Sequence, residues 1–221
     1  MAFRNEERTT KNEERVVKPY LIGIAGPSCA GKSFLSAHIA QKLDAALFHL
    51  DAYYRELNHL SIVQRAHWNF DAPDALESEM LIADVGRLSR GEGIDKPIYD
   101  FTTHARTGET ERLEPREFII VEGLFALYWE PIRALLGTKV FVDLGEEICL
   151  ERRIERDIRE RGRTRESVLE QYHTTVLPMA KKYVHPTREF ADLVVTGNDD
   201  INREVDAVLE HVWAGVQAPR V

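Results

Sequence analysis

Residues 21–33 read LIGIAGPSCAGKS and lead into the helix-like segment FLSAHIAQKL. Positions 26–33 fit the pattern G-x-x-x-x-G-K-S, which forms a phosphate-binding loop when a strand precedes it and a helix follows. The glycines let successive backbone N–H groups turn toward an anion, and the helix N-terminus adds partial positive charge. A strand-to-helix turn that binds nothing is the alternative, but the complete motif in this setting indicates a nucleoside triphosphate site.

The side chains of this loop have separate predicted roles. Lys32 can reach the β- and γ-phosphates, and the Ser33 hydroxyl can ligate Mg²⁺. The predicted nucleotide-contacting residues are Gly26, Pro27, Ser28, Cys29, Ala30, Gly31, Lys32, Ser33 and Phe34.

The composition limits the class of protein. The 221 residues suffice for one domain with a small mobile subdomain, and the net charge of −8 disfavours a nucleic-acid partner. No apolar run reaches the ~18 residues that a membrane span needs. The two cysteines, Cys29 and Cys149, fit a reducing cytoplasm.

The predicted domain spans residues 19–215. Half of the first 18 residues are charged, which is typical of a frayed arm or a solvated helix, and we expect a disordered arm. A closing helix is expected from Ile201 to Val212, and residues 216–221 are predicted to form a loose tail.

Apolar segments of strand length recur at residues 20–24, 46–50, 118–121, 140–144 and 193–195. Helical patterns separate most of them, which predicts an α/β domain with a parallel sheet of about five strands flanked by helices. Ligands of such sheets bind beyond the carboxyl ends of the strands. We therefore expect a carboxylate that leaves one strand to face the lysine-bearing loop that leaves the neighbouring strand.

Two acidic residues follow predicted strands directly. Asp51 is either a helix N-cap or the group that accepts a proton from an attacking hydroxyl. Glu122 is either an incidental charge at a strand end or a carboxylate that holds Mg²⁺ directly or through water.

A turn at residues 68–76 precedes a predicted helix that runs to about Leu88. Asp71 and Asp74 in this turn are candidate helix caps, and Pro73 suits an early helical position. A short carboxylate such as Asp71 can instead accept hydrogen bonds from both hydroxyls of a ribose.

Helical periodicity is absent from residues 93–115, which predicts a long hairpin outside the main sheet. Tyr99, Phe101 and His104 lie near its tip. They form either a satellite hydrophobic cluster or a slot for a flat base, which would stack on the rings and hydrogen-bond through its edge.

Residues 146–161 predict a helix rich in arginine and glutamate that ends at Gly162. Arg153 and Arg156 share a face and can close over a triphosphate. Arg152, Arg159 and Arg165 are expected on a solvated, salt-bridged surface.

These motifs follow one another along residues 20–196: the phosphate loop, LDAYYR, NFDAPDA, PIYDFTTHAR, VEGLFALY, RRIERDIRERGR, the Gln171-Tyr172 pair and PTREFADLVV. The ordered set resembles the uridine–cytidine kinase family of phosphate-loop kinases. The resemblance implies a three-layer P-loop NTPase/kinase fold, with a β-hairpin substrate arm at about residues 93–115 and a mobile helical lid at about residues 153–175.

The same resemblance implies transfer of the γ-phosphoryl group of ATP or GTP to the 5′-hydroxyl of uridine or cytidine, with Mg²⁺. The catalytic positions are Asp51 as the base, with Lys32, Arg153 and Arg156. The metal positions are Ser33 and Glu122. The substrate-binding positions are Asp51, Tyr54, Phe70, Asp71, Tyr99, Phe101, His104, Arg153, Arg163 and Gln171. The resemblance also implies a homo-oligomer, either a tetramer or a dimer, although the sequence itself does not reveal an interface.

The sequence departs from the family at Cys29-Ala30, where glycine and serine are common. Alanine lacks glycine's freedom at positive φ, so we expect ordinary dihedral angles there. Two rival functions remain: a related kinase that acts on another acceptor, of phosphoribulokinase or pantothenate kinase type, and a nucleotide-dependent switch without transferase activity. The preferences between uridine and cytidine, and between ATP and GTP, stay open.

Overall fold

The first strand, β1 (Tyr20–Ala25), is buried along its whole length and leads through the phosphate loop into helix α1 (Lys32–Leu43). These coordinates come from a computed structural model, which describes residues 18–217. The predicted disordered arm, apart from Lys18, and the tail beyond Gln217 lie outside the described residues.

The remaining elements follow in chain order: β2 (Ala46–His49), a 3₁₀ turn (Leu50–Tyr53), α2 (Ile62–Ala66), a 3₁₀ turn (Pro73–Ala75), α3 (Ser78–Ser89), β3 (Ile94–Asp100), β4 (Ala105–Leu113), β5 (Phe118–Glu122), α4 (Glu130–Arg133), β6 (Leu136–Val142), α5 (Glu146–Arg161), α6 (Arg165–Gln171), α7 (Leu177–Met179) between two π-helical turns, a 3₁₀ turn (His185–Phe190), β7 (Leu193–Val195) and α8 (Ile201–Gln217).

Five strands form one parallel sheet in the order β2-β5-β1-β6-β7. Alternate residues of β1 enter different cores, because successive side chains of a strand point to opposite faces. Leu21 packs in the core that contains α3, whereas Ile22 and Ile24 pack in the core that contains α1 and α8. The predicted sheet with helices on both faces is therefore confirmed.

The sheet order corrects one expectation. β1 and β2 are not neighbours, because β5 lies between them. Asp51 follows β2 and the lysine-bearing loop follows β1, so one strand separates the two. That strand is β5, which ends at Glu122. Strand order depends on long-range pairing that the order of segments along the chain does not reveal.

The hairpin forms as predicted, with β3 and β4 antiparallel in a separate two-stranded sheet. An Arg106 Nη2 hydrogen bond to the Tyr53 carbonyl, 3.2 Å long, ties it to the turn after β2. Helix α5 has the predicted bounds and ends at Gly162, whose φ of 62° is the left-handed conformation common after helices.

Some predicted bounds differ from the structure. Strand β6 runs from Leu136 to Val142 rather than from Val140 to Leu144, whereas α3 begins at Ser78, just after the predicted turn. Helix α8 continues to Gln217, five residues beyond the predicted Val212, so positions 216 and 217 are helical and are not part of a loose tail. Among the helices of residues 18–217, none has both the length and the apolar character needed to cross a membrane.

Candidate active site

The phosphate loop curls through three residues with positive φ: Gly26 at 150°, Cys29 at 64° and Gly31 at 106°. A Cβ atom at Gly26 would lie 2.3 Å from the Val142 carbonyl oxygen, so only glycine fits there. Ala30 is not among the positive-φ residues, as predicted. Its neighbour Cys29 takes the left-handed conformation instead, which the sequence did not indicate.

Behind the loop, the Oε2 atom of Glu122 contacts two side chains. The Ser33 hydroxyl donates to Glu122 Oε2 at 3.2 Å, and His49 Nδ1 lies 2.9 Å from the same oxygen. His49 and Glu122 are side-by-side residues of β2 and β5, which explains the contact. Lys32 Nζ donates to the Pro27 carbonyl at 2.9 Å and so spans the loop.

The pKa shifts of Glu122 and His49 share one cause, the hydrogen bond between the two side chains. Burial raises the pKa of Glu122, but the hydrogen bond to His49 and the charge of Lys32 outweigh it and hold that pKa below its ordinary value. The hydrogen bond to Glu122 in turn raises the pKa of His49. Glu122 is therefore an ionised carboxylate beside a lysine and a hydroxyl.

These residues fit a Mg²⁺ ion. Within residues 18–217 no three His, Cys, Asp or Glu side chains form a metal-binding cluster. Mg²⁺ in nucleotide sites needs few protein ligands, because phosphate oxygens and water complete its shell. The Ser33 hydroxyl and the Glu122 carboxylate supply the oxygen donors that this arrangement requires.

Asp51 lies in the 3₁₀ turn after β2 and faces the same cleft. The N-cap of that turn is His49, so Asp51 is not its cap. Burial and the negative charge of Glu122 raise the pKa of Asp51, and Lys32 opposes this shift. A carboxylate with a raised pKa is a better proton acceptor than an exposed one.

Five rings form the far end of the cleft: Tyr54, Phe70, Tyr99, Phe101 and His104. Phe70 and His104 stack with centroids 5.0 Å apart and an interplanar angle of 16°. Tyr54 contacts both Phe70 and Tyr99 at centroid distances of 5.3 and 5.2 Å. The predicted aromatic group therefore lies together.

Two polar groups of this aromatic end are available to a ligand. The buried Tyr99 hydroxyl has no hydrogen-bond partner among residues 18–217. Burial and the charge of Arg163 lower the pKa of His104, which favours a neutral ring with one donor and one acceptor nitrogen. A planar ligand with polar edges matches this arrangement.

Asp71 is buried and lies at the cleft wall. Burial raises its pKa, and the charges of Arg153 and Arg156 oppose the rise. Neither Asp71 nor Asp74 caps α3, whose N-cap is Glu77. The helix-cap alternative is therefore wrong for α3.

Arg153 joins the phosphate loop to α6. Its Nη1 donates to the Ser28 hydroxyl at 2.9 Å and its Nη2 to Gln171 Oε1 at 3.0 Å. Arg163 donates to the same Gln171 oxygen. The predicted phosphate-contacting and ribose-contacting side chains thus meet in one network.

A single cleft of about 480 Å³ connects these groups. Every predicted site residue lines it except Gly26, Pro27 and Ala30. Gly26 and Ala30 are buried inside the loop, and Pro27 contributes its carbonyl oxygen to Lys32. The structure therefore brings the predicted residues to one place.

The cleft also contains residues that sequence reasoning missed or misplaced. Arg152 was expected on a solvated surface, but its Nη1 donates to the Gly197 carbonyl at 3.0 Å and its side chain lines the cleft. Arg159 lines the cleft as well, but it is exposed and pairs with Glu160 as expected, and Arg165 is exposed as expected. Arg161 was not singled out, although its four-residue spacing from Asp157 was a usable signal.

The profile of the Phosphoribulokinase / Uridine kinase family matches residues 21–202. The uridine kinase of Chloroflexus aurantiacus is 41% identical over 203 residues, which are 90% of this chain and 97% of that protein. The uridine kinase of Clostridium tetani is 38% identical over the same shares of the two chains.

A solved structure shares the fold. The phosphoribulokinase of Rhodobacter spheroides superposes with a TM-score of 0.59 at 18% identity, and the match covers 82% of this chain and 73% of that one.

Proposed function

The chain belongs to the phosphoribulokinase/uridine kinase family, and on that premise we propose that it transfers the γ-phosphoryl group of ATP or GTP to the 5′-hydroxyl of uridine or cytidine. The observation that carries the proposal is the continuous cleft, which has the phosphate loop at one end, the aromatic rings at the other, and Asp51 among its lining residues.

In the proposed mechanism, the aromatic end binds the pyrimidine base and Asp71, Arg163 and Gln171 bind the ribose. Asp51 then orients the 5′-hydroxyl and accepts its proton during in-line transfer. Its raised pKa suits this role, because the proton acceptor must be both ionised and basic near neutral pH.

The phosphate loop, Lys32, Arg153 and Arg156 hold the triphosphate and stabilise the charge that spreads over the transferred group. A Mg²⁺ ion at Ser33 and Glu122 would supply further charge neutralisation to the phosphates. Closure of residues 153–175 over the nucleotides would exclude water and so limit hydrolysis of ATP.

The aromatic end of the cleft bears on which class of molecule accepts the phosphoryl group. A sugar phosphate has no flat base, so it would leave the rings and the buried Tyr99 hydroxyl without a partner. This favours a nucleoside over the acceptors of the related phosphoribulokinase and pantothenate kinase types.

The experiment is a coupled assay of ADP formation with ATP, Mg²⁺ and four acceptors: uridine, cytidine, ribulose 5-phosphate and pantothenate. We expect turnover with uridine, cytidine or both, and none with the other two. Turnover confined to ribulose 5-phosphate or pantothenate would refute the nucleoside assignment. Slow hydrolysis that no acceptor changes would instead indicate a nucleotide-dependent switch.

We further place the enzyme in the cytoplasm as a homo-oligomer, a tetramer or a dimer. The absence of a disulfide between Cys29 and Cys149 supports a reducing compartment. Light scattering of the purified protein tests the oligomeric state, and a monomeric mass would contradict it.

A further inference from the structure

The carboxylate of Asp157, on helix α5, is completely buried among four guanidinium groups. Its Oδ1 lies 2.9 Å from Arg156 Nε, 2.8 Å from Arg156 Nη2 and 3.6 Å from Arg161 Nη1. Its Oδ2 lies 3.3 Å from Arg163 Nη1 and 3.8 Å from Arg153 Nε. All four arginines line the cleft, whereas Asp157 itself does not.

The main chain of Asp157 holds the same region. Its carbonyl oxygen accepts hydrogen bonds from the N–H groups of Gly162 and Arg163, where α5 ends. One residue therefore fixes the turn that carries Arg163 and, through its side chain, the guanidinium groups on both sides of that turn.

The arginines exceed the negative charge around them. Burial raises the pKa of Asp157, but the charges of Arg156 and Arg153 outweigh it and hold that pKa below its ordinary value, so the group is ionised. Burial and the charge of Arg156 lower the pKa of Arg161, a sign that the cations crowd one another. Asp71 and Asp51 also face these arginines, but burial raises the pKa of both carboxyls. Three carboxylates do not neutralise four arginines and Lys32, and a polyanion in the cleft would complete the balance.

Each guanidinium has five donors, and Asp157 uses only one edge of each. Asp157 hydrogen-bonds Arg156 and Arg163, whereas its contacts with Arg161 and Arg153 are ion pairs of 3.6 and 3.8 Å. The Nη atoms of Arg153 reach Ser28 of the phosphate loop and Gln171. The carboxylate therefore fixes two guanidinium groups by hydrogen bonds and attracts the other two by charge.

We propose that Asp157 is a positioning residue that gathers four arginines, so that Arg153 and Arg156 face the polyphosphate of the nucleotide while Arg163 and Arg161, which lies over the Phe101 ring, stay at the acceptor end. This inference rests on the proposed function, because it requires a nucleoside triphosphate in this cleft. Asp157 does not touch the substrates in this account and acts only through the arginines.

Two opposing effects decide what removal of the charge would do. Coulomb's law alone predicts tighter binding of an anion when a nearby negative charge is lost. Loss of the fixed directions predicts weaker binding, because each misdirected charge-assisted hydrogen bond costs about tenfold or more in affinity. We expect the second effect to dominate, since Asp157 contacts the arginines directly and has no contact with the cleft.

The test is calorimetric titration with AMP, ADP and a non-hydrolysable ATP analogue. It compares the wild-type protein, Asp157→Asn, which keeps the shape and removes the charge, and the control Glu155→Gln, an exposed position on the same helix. For Asp157→Asn we expect a loss that grows with the number of phosphates, from under about twofold for AMP to about tenfold or more for the ATP analogue. Glu155→Gln should match the wild type.

Four results would overturn the inference. An equal loss for all three nucleotides would mean that Asp157 only supports the fold. Tighter binding of the ATP analogue would mean that Asp157 competes with phosphate for the arginines. If the wild type binds more tightly with each added phosphate and Asp157→Asn has the same three dissociation constants, the inference fails while the proposed function stands. A wild type that binds no nucleotide would refute the proposed function and the inference together.

Folding of the variant is controlled separately. Loss of the carboxylate that all four arginines contact should lower the melting temperature of Asp157→Asn, and the double variant D157N/R161Q should recover part of the loss because it has one cation fewer. If Asp157→Asn does not fold, the same titration series is measured on D157N/R161Q against R161Q. A phosphate-dependent loss supports the inference there, and a uniform loss overturns it.

Discussion

The phosphate loop and the aromatic end of the cleft are built in different ways. The loop is eight consecutive residues, 26–33, whose curl follows from the positive φ angles of Gly26, Cys29 and Gly31. The aromatic end takes its rings from the turn after β2, from Phe70 before α3, and from the hairpin. The loop is local, whereas the acceptor end depends on the tertiary fold.

This difference implies that changes at one end of the cleft should affect one substrate and spare the other. Asp51, which we place between the two substrates, is the exception, because a defect there should appear in the chemical step. The following experiments test this division, starting with the largest expected effect.

Asp51→Asn should lower kcat by about 10²–10⁴-fold while the dissociation constant of ATP changes little, because the amide cannot accept the hydroxyl proton. Initial rates with uridine and calorimetry with an ATP analogue measure the two quantities. Loss of nucleotide affinity with turnover preserved would mean that Asp51 belongs to the donor end instead.

Alkylation of Cys29 should remove most of the activity, and bound ATP should protect against it, because this thiol lines the cleft in the phosphate loop. Cys149 is an internal control: it is 2% exposed, and burial raises the pKa of its thiol to about 11, so it should stay unmodified. Full activity of a protein whose Cys29 is shown by mass spectrometry to be alkylated would contradict the placement.

Tyr99→Phe should raise the KM for uridine by about 2–10-fold and leave the KM for ATP unchanged, since it removes one hydrogen bond at the acceptor end. Tyr53→Phe is the matched control. The Tyr53 hydroxyl donates to Asp84 at 2.8 Å outside the cleft, so its loss should lower stability without changing either KM. An equal rise of both KM values in Tyr99→Phe would remove the distinction between the two ends.

The pH dependence should show the smallest effect. Asp51 must be ionised to accept a proton, so kcat/KM falls as the pH drops through its pKa. Burial and Glu122 raise that pKa, and the acid limb should therefore lie above the pH expected for an exposed aspartate. The limb should disappear in Asp51→Asn, and an acid limb at the ordinary aspartate value would contradict the described environment.

The sequence predicted the features that contiguous residues determine better than those that depend on contacts between distant segments. The bounds of α5 followed from the helical spacing of its isoleucines and from Gly162, and the loop followed from its motif, because both signals are contiguous. The start of β6 was missed because Gly137 and Thr138 interrupt the apolar run, although β1 pairs with this segment from Leu136 onward.

Contacts between distant segments escaped prediction. Nothing local places His49 against Glu122, since only the pairing of β2 with β5 brings them together. Arg152 resembled its solvated neighbours in sequence, but Gly197, 45 residues away, supplies its partner. Candidate residues were therefore identified by type and motif, whereas the residues that orient them required the fold.

The most direct test of the central claim, that both ends of the cleft serve one reaction, is a ³¹P NMR time course with ATP, Mg²⁺ and uridine or cytidine. We expect one nucleoside 5′-monophosphate for each ADP, with little inorganic phosphate. ADP and inorganic phosphate appearing together, at a rate that neither nucleoside changes, would contradict it.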